Sequence, residues 1–145
     1  MIRTVIGLAI CSIALCETET KVKLKDLPDS VQKAVQEQTK NAKLKGLSKE
    51  VEKGATFYEV ETSVNGKSRD VLLDTSGRVV EVEEAVAFSS LPDAVQRAFT
   101  EAGRVVSVEQ VTKGTLVTYE AVIRKNGKKS EVSVKADGSP TTPDC

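Results

Sequence analysis

Apolar residues along this chain follow first a helical period, then a strand period, and the whole succession then occurs a second time. Leu27, Val31, Ala34 and Val35 fall at i, i+4, i+7 and i+8, the spacing of one helix face, and Leu91, Val95, Ala98 and Phe99 repeat it. After each helix the period becomes two. Tyr58, Val60, Thr62 and Val64 alternate with Phe57, Glu59, Glu61 and Ser63; Val117, Tyr119, Ala121 and Ile123 alternate with Leu116, Thr118, Glu120 and Val122. Such alternation predicts half-buried strands.

Local chemistry sets the ends of these elements. Pro28 and Pro92 suit a first helical turn, where a missing N–H costs nothing, and Asp29 and Asp93 suit the positive end of the helix dipole. The opposite helix face, Gln32, Lys33, Gln36 and Glu37, reads as solvated surface. Asn65-Gly66 and Asn126-Gly127 supply the positive-φ pair of a type I′ hairpin, leading into strands at Arg69 to Leu73 and Ser130 to Ala136. Further turns are marked by Asp74 to Gly77 and by Asp137-Gly138. Val79 to Glu83 resumes a strand in the first copy, whereas Pro140 and Pro143 leave the last strand of the second short, missing or at an edge. Strands are also expected at Leu44 to Val51, interrupted by Gly46, and at Val105 to Val111.

The recurrence is a duplication. LPDSVQKAVQE at 27–37 and LPDAVQRAFTE at 91–101 share seven of eleven residues at an offset of 64. Tyr58-Glu59, Asn65-Gly66-Lys67 and Gly77 return as Tyr119-Glu120, Asn126-Gly127-Lys128 and Gly138 at an offset of 61. The expected fold is α+β: a helix followed by three or four antiparallel strands, twice, forming one curved antiparallel sheet with both helices on one face. Residues 27–84 and 91–145 are the two repeats, packed as one domain, and 17–26 form an N-terminal segment.

Residues 1–16 read as a signal peptide. Arg3 supplies the positive start, and the apolar run from Val5 to Leu15 falls short of the roughly 20 residues that cross a bilayer. Ala14 and Cys16 place cleavage before Glu17. A lipoprotein signal wants a small residue before its cysteine, but Leu15 precedes Cys16 and Ile10 precedes Cys11, so ordinary secretion is favoured over lipid attachment. The expected location is periplasmic or secreted, with no stable membrane insertion after cleavage. Twenty-one acids and twenty bases then remain, which excludes a field that steers the chain to nucleic acid. Cys145 would be the one cysteine left, precluding an internal disulfide.

The pattern Leu27-Pro28-x-x-Val31, Tyr58-Glu59-Val60, Asp74-x-x-Gly77, with its second copy Leu91-Pro92-x-x-Val95, Tyr119-Glu120-Ala121, Asp137-Gly138, resembles the PepSY-like family related in fold to the beta-lactamase inhibitor proteins. The resemblance covers the chain beyond the leader and implies tandem helix-plus-four-strand units, export, and protein binding as the commonest role among better-known relatives. The matching positions lie in helix starts, strands and turns, so no inhibitory residue carries over. Those inhibitors present aromatic-rich surfaces and disulfide-closed loops; this chain has no Trp, three Phe and two Tyr.

Catalysis near neutrality calls on titratable or activated nucleophilic groups, and the sequence contains no His. No cofactor or metal ligand set is expected: clustered His and Cys are missing, and Asp74 to Gly77 reads as a turn rather than a calcium loop. Lys21, Lys23 and Lys25, alternating with Val22 and Leu24, read as an edge segment blunted by lysines. What remains is the sheet face turned away from the helices. Its first-copy candidates are Phe57, Glu59, Glu61, Asp70, Leu72, Asp74, Glu81 and Glu83; its second-copy ones include Thr118, Glu120, Val122, Arg124, Ser133 and Lys135. The expectation is a non-enzymatic module whose acidic first-copy face, with Phe57 and Leu72 exposed, binds an extracytoplasmic protein bearing a basic patch. A binder of a small ligand or envelope component, sited between sheet and helices, is the alternative.

Overall fold

The computed structural model describes residues 18–141, so the leader, the start at Glu17 and Cys11, Cys16 and Cys145 lie outside the described residues. The elements are β1 (Thr18–Lys21), a 3-10 turn (Leu24–Asp26), α1 (Asp29–Gln38), β2 (Lys43–Glu52), β3 (Ala55–Val64), β4 (Lys67–Asp74) and β5 (Val79–Ala85). A second 3-10 turn (Phe88–Ser90) leads into α2 (Asp93–Ala102), β6 (Arg104–Lys113), β7 (Leu116–Lys125) and β8 (Lys128–Lys135). Strand order across the antiparallel sheet is chain order, β1 to β8. Two compact units result: one runs through Ala85 and includes Thr112–Leu116, the other comprises Val86–Val111 and the chain from Val117.

In the first unit Leu27, Val31 and Val35 of the α1 segment close on Tyr58, Val60, Val71 and Leu73 of β3 and β4. Strand alternation puts these four on one face, because Tyr58 pairs with Leu73 and Val60 with Val71. In the second unit Leu91, Val95 and Phe99 close in the same way on Val108, Ala121, Ile123 and Val134. Both prolines sit one position before the first helical residue rather than inside the turn, with extended ψ of 146° and 144°. Extended ψ suits a residue whose carbonyl already accepts the first helical bond, as Pro28 O does from Gln32 N–H.

Three details depart from the pattern reading. Gln32 is no mere solvated residue: its amide donates to Leu27 O at 2.9 Å, and Gln96 does the same to Leu91 O, tying each helix to its entry segment. The lysine-rich edge strand ends at Lys21; Val22 and Leu24 turn inward against the core while the chain enters the 3-10 turn. Gly46 does not interrupt β2 but marks a register shift between Leu44 and Gly46 within a ten-residue strand. The Asn-Gly hairpins are as expected, with φ of 51° and 80° at Asn65-Gly66 and 50° and 75° at Asn126-Gly127. Lys53-Gly54 adopts the same pair of positive values. Beyond β8, the second copy begins its fourth strand only as a bridge from Val134 to Pro140 and a bond from Thr141 N–H to Ser133 O.

The turns at Asp74 to Gly77 and at Asp137-Gly138 dock on the helices. Gly77 has φ 83°, and a Cβ there would strike the carbonyl oxygen of Ser30 in the first turn of α1; at Gly138, φ 82°, a Cβ would lie 2.6 Å from Ala94 O of α2. Asp74 shapes its turn by accepting from Ser76 Oγ (2.6 Å), Ser76 N–H (2.9 Å) and Arg78 N–H (3.0 Å). These donors, Ser76's hydroxyl foremost, hold its carboxyl at about 2, below the ordinary 3.8. Asp137 is lowered in the same way, chiefly by the Ser139 hydroxyl.

Two predictions follow from these turns. Gly77→Ala should destabilise by more than about 3 kcal/mol, since it adds a backbone clash to the left-handed penalty, whereas Gly54→Ala, with open space around it, should cost only roughly 1–2 kcal/mol by urea unfolding. Because the folded pKa of Asp74 lies below the unfolded one, its stabilisation is complete above 3.8 and disappears as pH falls toward about 2. The stability deficit of Asp74→Ala should therefore shrink across that interval when followed by urea midpoints at successive pH values.

Candidate functional site

With α1 covering one face of the first unit, register assigns the intervening residues to the other. Glu59 stands opposite Leu72, which stands opposite Glu81; Glu61 stands opposite Asp70, which stands opposite Glu83. Phe57 lies between Glu50 and Asp74, and Glu50 is opposite Glu19. All seven candidates, Phe57, Glu59, Glu61, Asp70, Leu72, Glu81 and Glu83, therefore share a face spanning β3 to β5, which β1 and β2 extend with Glu19 and Glu50.

Burial corrects the expectation of a plainly solvated surface. Glu59 is 6% exposed and Glu83 8%, while Phe57 and Leu72 are half-buried rather than exposed. A carboxylate near the middle of a sheet is flanked by side chains from both neighbouring strands, and alternation alone does not report how tall those neighbours are. Ser48 Oγ donates to Glu59 Oε2 at 3.4 Å, and Lys113 Nζ lies 3.2 Å from Glu81 Oε2. Glu61 and Asp70 are half-buried, leaving them as the accessible acids of the central row.

One grouping is absent from the sequence reading. Carboxylate oxygens of Glu19, Glu59 and Glu61 lie within 4.8 Å of one another, in reach of a common cation. Glu19 comes from β1 and the other two from β3, so no local spacing announces the trio. A Cβ at Gly46 would stand 3.0 Å from Glu61 Oε2, so the glycine makes room for that carboxylate. Hard cations take six or more oxygens, and three carboxylates supply part of such a set.

The second unit carries a different face. Thr118 is opposite Lys135, Glu120 opposite Ser133, Val122 opposite Glu131 and Arg124 opposite Lys129, so two acids lie between bases at either end. Arg124 Nε is buried without a hydrogen-bond partner among the described residues.

If the Glu81–Lys113 contact is a surface ion pair and no more, Lys113→Ala should change stability by under about 1 kcal/mol and the change should fade with salt, since Lys113 is half exposed. A larger, salt-insensitive loss in urea unfolding would instead make the pair part of the fold.

No family model matches the sequence, and no curated protein does. Solved structures do. A Bacteroides eggerthii protein whose description places it, provisionally, in the periplasm aligns with a TM-score of 0.64 at 21% identity, covering 80% of this chain and 86% of that one. A DUF2874 family protein from Bacteroides ovatus gives 0.60 at 18% identity over 80% and 85%. A BLIP-like protein from Bacteroides fragilis gives 0.57 at 20% identity over 80% and 84%. No helix among the described residues is long and apolar enough to cross a membrane. At these identities the likeness concerns the fold, and the fold of this chain is that of the BLIP-like proteins.

Proposed function

We propose that the chain is an exported, non-enzymatic binding module that engages a basic patch on an extracytoplasmic protein through the acidic face of its first unit. The observation that carries this reading is the row Glu61–Asp70–Glu83, three carboxylates abreast on three adjacent strands. Like charges directly opposite one another cost a sheet roughly 0.2–1 kcal/mol per pair. The repeat does not require them: the position equivalent to Glu61 in the second copy is Val122, and those equivalent to Phe57 and Leu72 are Thr118 and Ser133. An acid row on this face is suited to meet cationic side chains, with the half-buried Phe57 and Leu72 adding apolar contact. Export is supported by the leader-like residues 1–16, and the absence of His from the sequence weighs against general acid–base chemistry.

Burial decides the form of the test. Reversing Glu59 or Glu83 would place a buried ammonium in the sheet, so the accessible positions are changed instead. The full chain and its Glu61→Gln, Asp70→Asn, Leu72→Ala variant are used to capture proteins from the extracytoplasmic fraction of the source. Capture of one protein by the parent chain, lost in the variant and weakened in about 0.5 M salt, is the expected result. Equal capture by both would move the site elsewhere. A ligand-dependent rise in melting temperature with no protein captured would favour the small-ligand alternative.

A further inference from the structure

Of the lysines near the start of the described chain, Lys21 ends β1 in line with Ser48 and Glu59 at the border of the acidic face, and Lys23 and Lys25 lie beyond the strand. β1 ends at Lys21, opposite Ser48; Val22 N–H then donates to Leu47 O at 3.0 Å, and the chain turns away through Leu24–Asp26. Lys43, Leu44 and Gly46 of β2 pair with β3 on their inner side, Lys45 being the extra residue at the register shift, and on their outer side they have no strand among the described residues. Along this open edge stand Lys43 and Lys45, with Lys21, Lys23 and Lys25 on the segment that departs from it. All five are exposed, and among the described residues none is in an ion pair. Leu44, between two of them, is 40% exposed.

Lysines on a free edge are the usual device against unwanted pairing. The duplication shows whether the local backbone needs these lysines. Val86 N–H donates to Val108 O at 3.2 Å, reproducing the Val22–Leu47 bond, and Phe88–Ser90 reproduces the 3-10 turn. Yet the equivalents of Lys21, Lys23 and Lys25 are Ala85, Ala87 and Ser89, and those of Lys43 and Lys45 are Arg104 and Val106. One base stands where the first copy has five. The backbone arrangement therefore forms without the lysines.

We propose that the open edge of β2, Lys43 to Gly46, takes up an extended acidic polypeptide segment as an added strand, with Lys21, Lys23, Lys25, Lys43 and Lys45 supplying the charge that selects it. Backbone N–H and C=O groups that face no strand among the described residues reward a polypeptide in a way that a lipid headgroup cannot exploit, and the ammonium groups favour acidic side chains on that strand. This edge carries charge opposite to that of the sheet face and adjoins it only at Lys21, so it is distinct from the protein-binding reading above.

The test titrates a synthetic peptide of alternating Glu and Val into the full chain, isotopically labelled for amide detection. Parallel titrations use the same peptide N-methylated at alternate positions, an alternating Lys and Val peptide, and vesicles of phosphatidylcholine and phosphatidylglycerol. The expected result is saturable binding of the acidic peptide that perturbs and protects the amides of Lys43 to Gly46. Affinity should fall at least about tenfold in the K21A, K23A, K25A, K43A, K45A variant, and binding should be lost on N-methylation. Failure of the acidic peptide to bind, perturbation confined to other amides, or equal affinity in the variant would overturn the proposal. Binding indifferent to N-methylation would overturn strand addition, and binding to the vesicles alone would identify the edge as a membrane contact instead. The amide readout on the parent chain keeps the result decisive even where the variant folds poorly.

Discussion

Neither helix can exist without the strands beneath it. Each is ten residues long, below the roughly 12–15 at which even good helix formers are marginal in water. What holds them is burial of one stripe, Val31 and Val35 in α1 and Val95 and Phe99 in α2, against strand residues that are likewise fully enclosed. At roughly 1.5–3 kcal/mol for each large apolar side chain buried, that stripe outweighs the cost of nucleating so short a helix. The Gly77 and Gly138 turns fix how near the helix can come, because a side chain at either glycine would lie on the helix backbone itself.

This constraint determines the rest of the first unit by parity. A strand side chain has two directions, and a slip of one residue would exchange them all. Once Tyr58, Val60, Val71 and Leu73 are committed to α1, Phe57, Glu59, Glu61, Asp70 and Leu72 have no alternative to the other face. The acidic row is thus aligned by the core beneath it, through covalent alternation alone. It also means that mutating the face need not disturb the helix, except at Glu59 and Glu83, whose burial ties them into the sheet.

Period, turn residues and the offset of the second copy made most of this architecture legible in the sequence. The helix stripes, the Asn-Gly hairpins and the membership of the open face all follow from spacing. What escaped depended on contacts between residues distant in the chain. Glu19 joins Glu59 and Glu61 only because β1 folds back along β2 and so enters the same sheet as β3. Gln32 turns toward Leu27 O since an amide one turn into a helix can reach the carbonyl before it, a matter of rotamer and not of hydropathy. Lys53-Gly54 made a tight turn without Asn or Asp, so composition gave no warning of it. Burial of Glu59 and Glu83 was invisible for the same reason: polarity predicts a preference for water, while neighbours decide the access.

The duplication separates what the fold needs from what it merely permits. Several positions shared by both copies, Leu27 and Leu91, Pro28 and Pro92, Val31 and Val95, Gly77 and Gly138, touch the helix–sheet contact or its turns. Core positions vary only among apolar residues, Val35 against Phe99 and Leu73 against Val134, whereas the open face and the edge change charge or polarity: Glu61 against Val122, Leu72 against Ser133, Lys45 against Val106. Since both copies build the same backbone, charge at the differing positions cannot be an expense the architecture demands. The first copy concentrates acids on its face and lysines on its edge, and the second does neither. Two oppositely charged surfaces on one repeat, with a near-neutral chain overall, are consistent with contacts made at short range through particular strands, where the net field of the molecule contributes little.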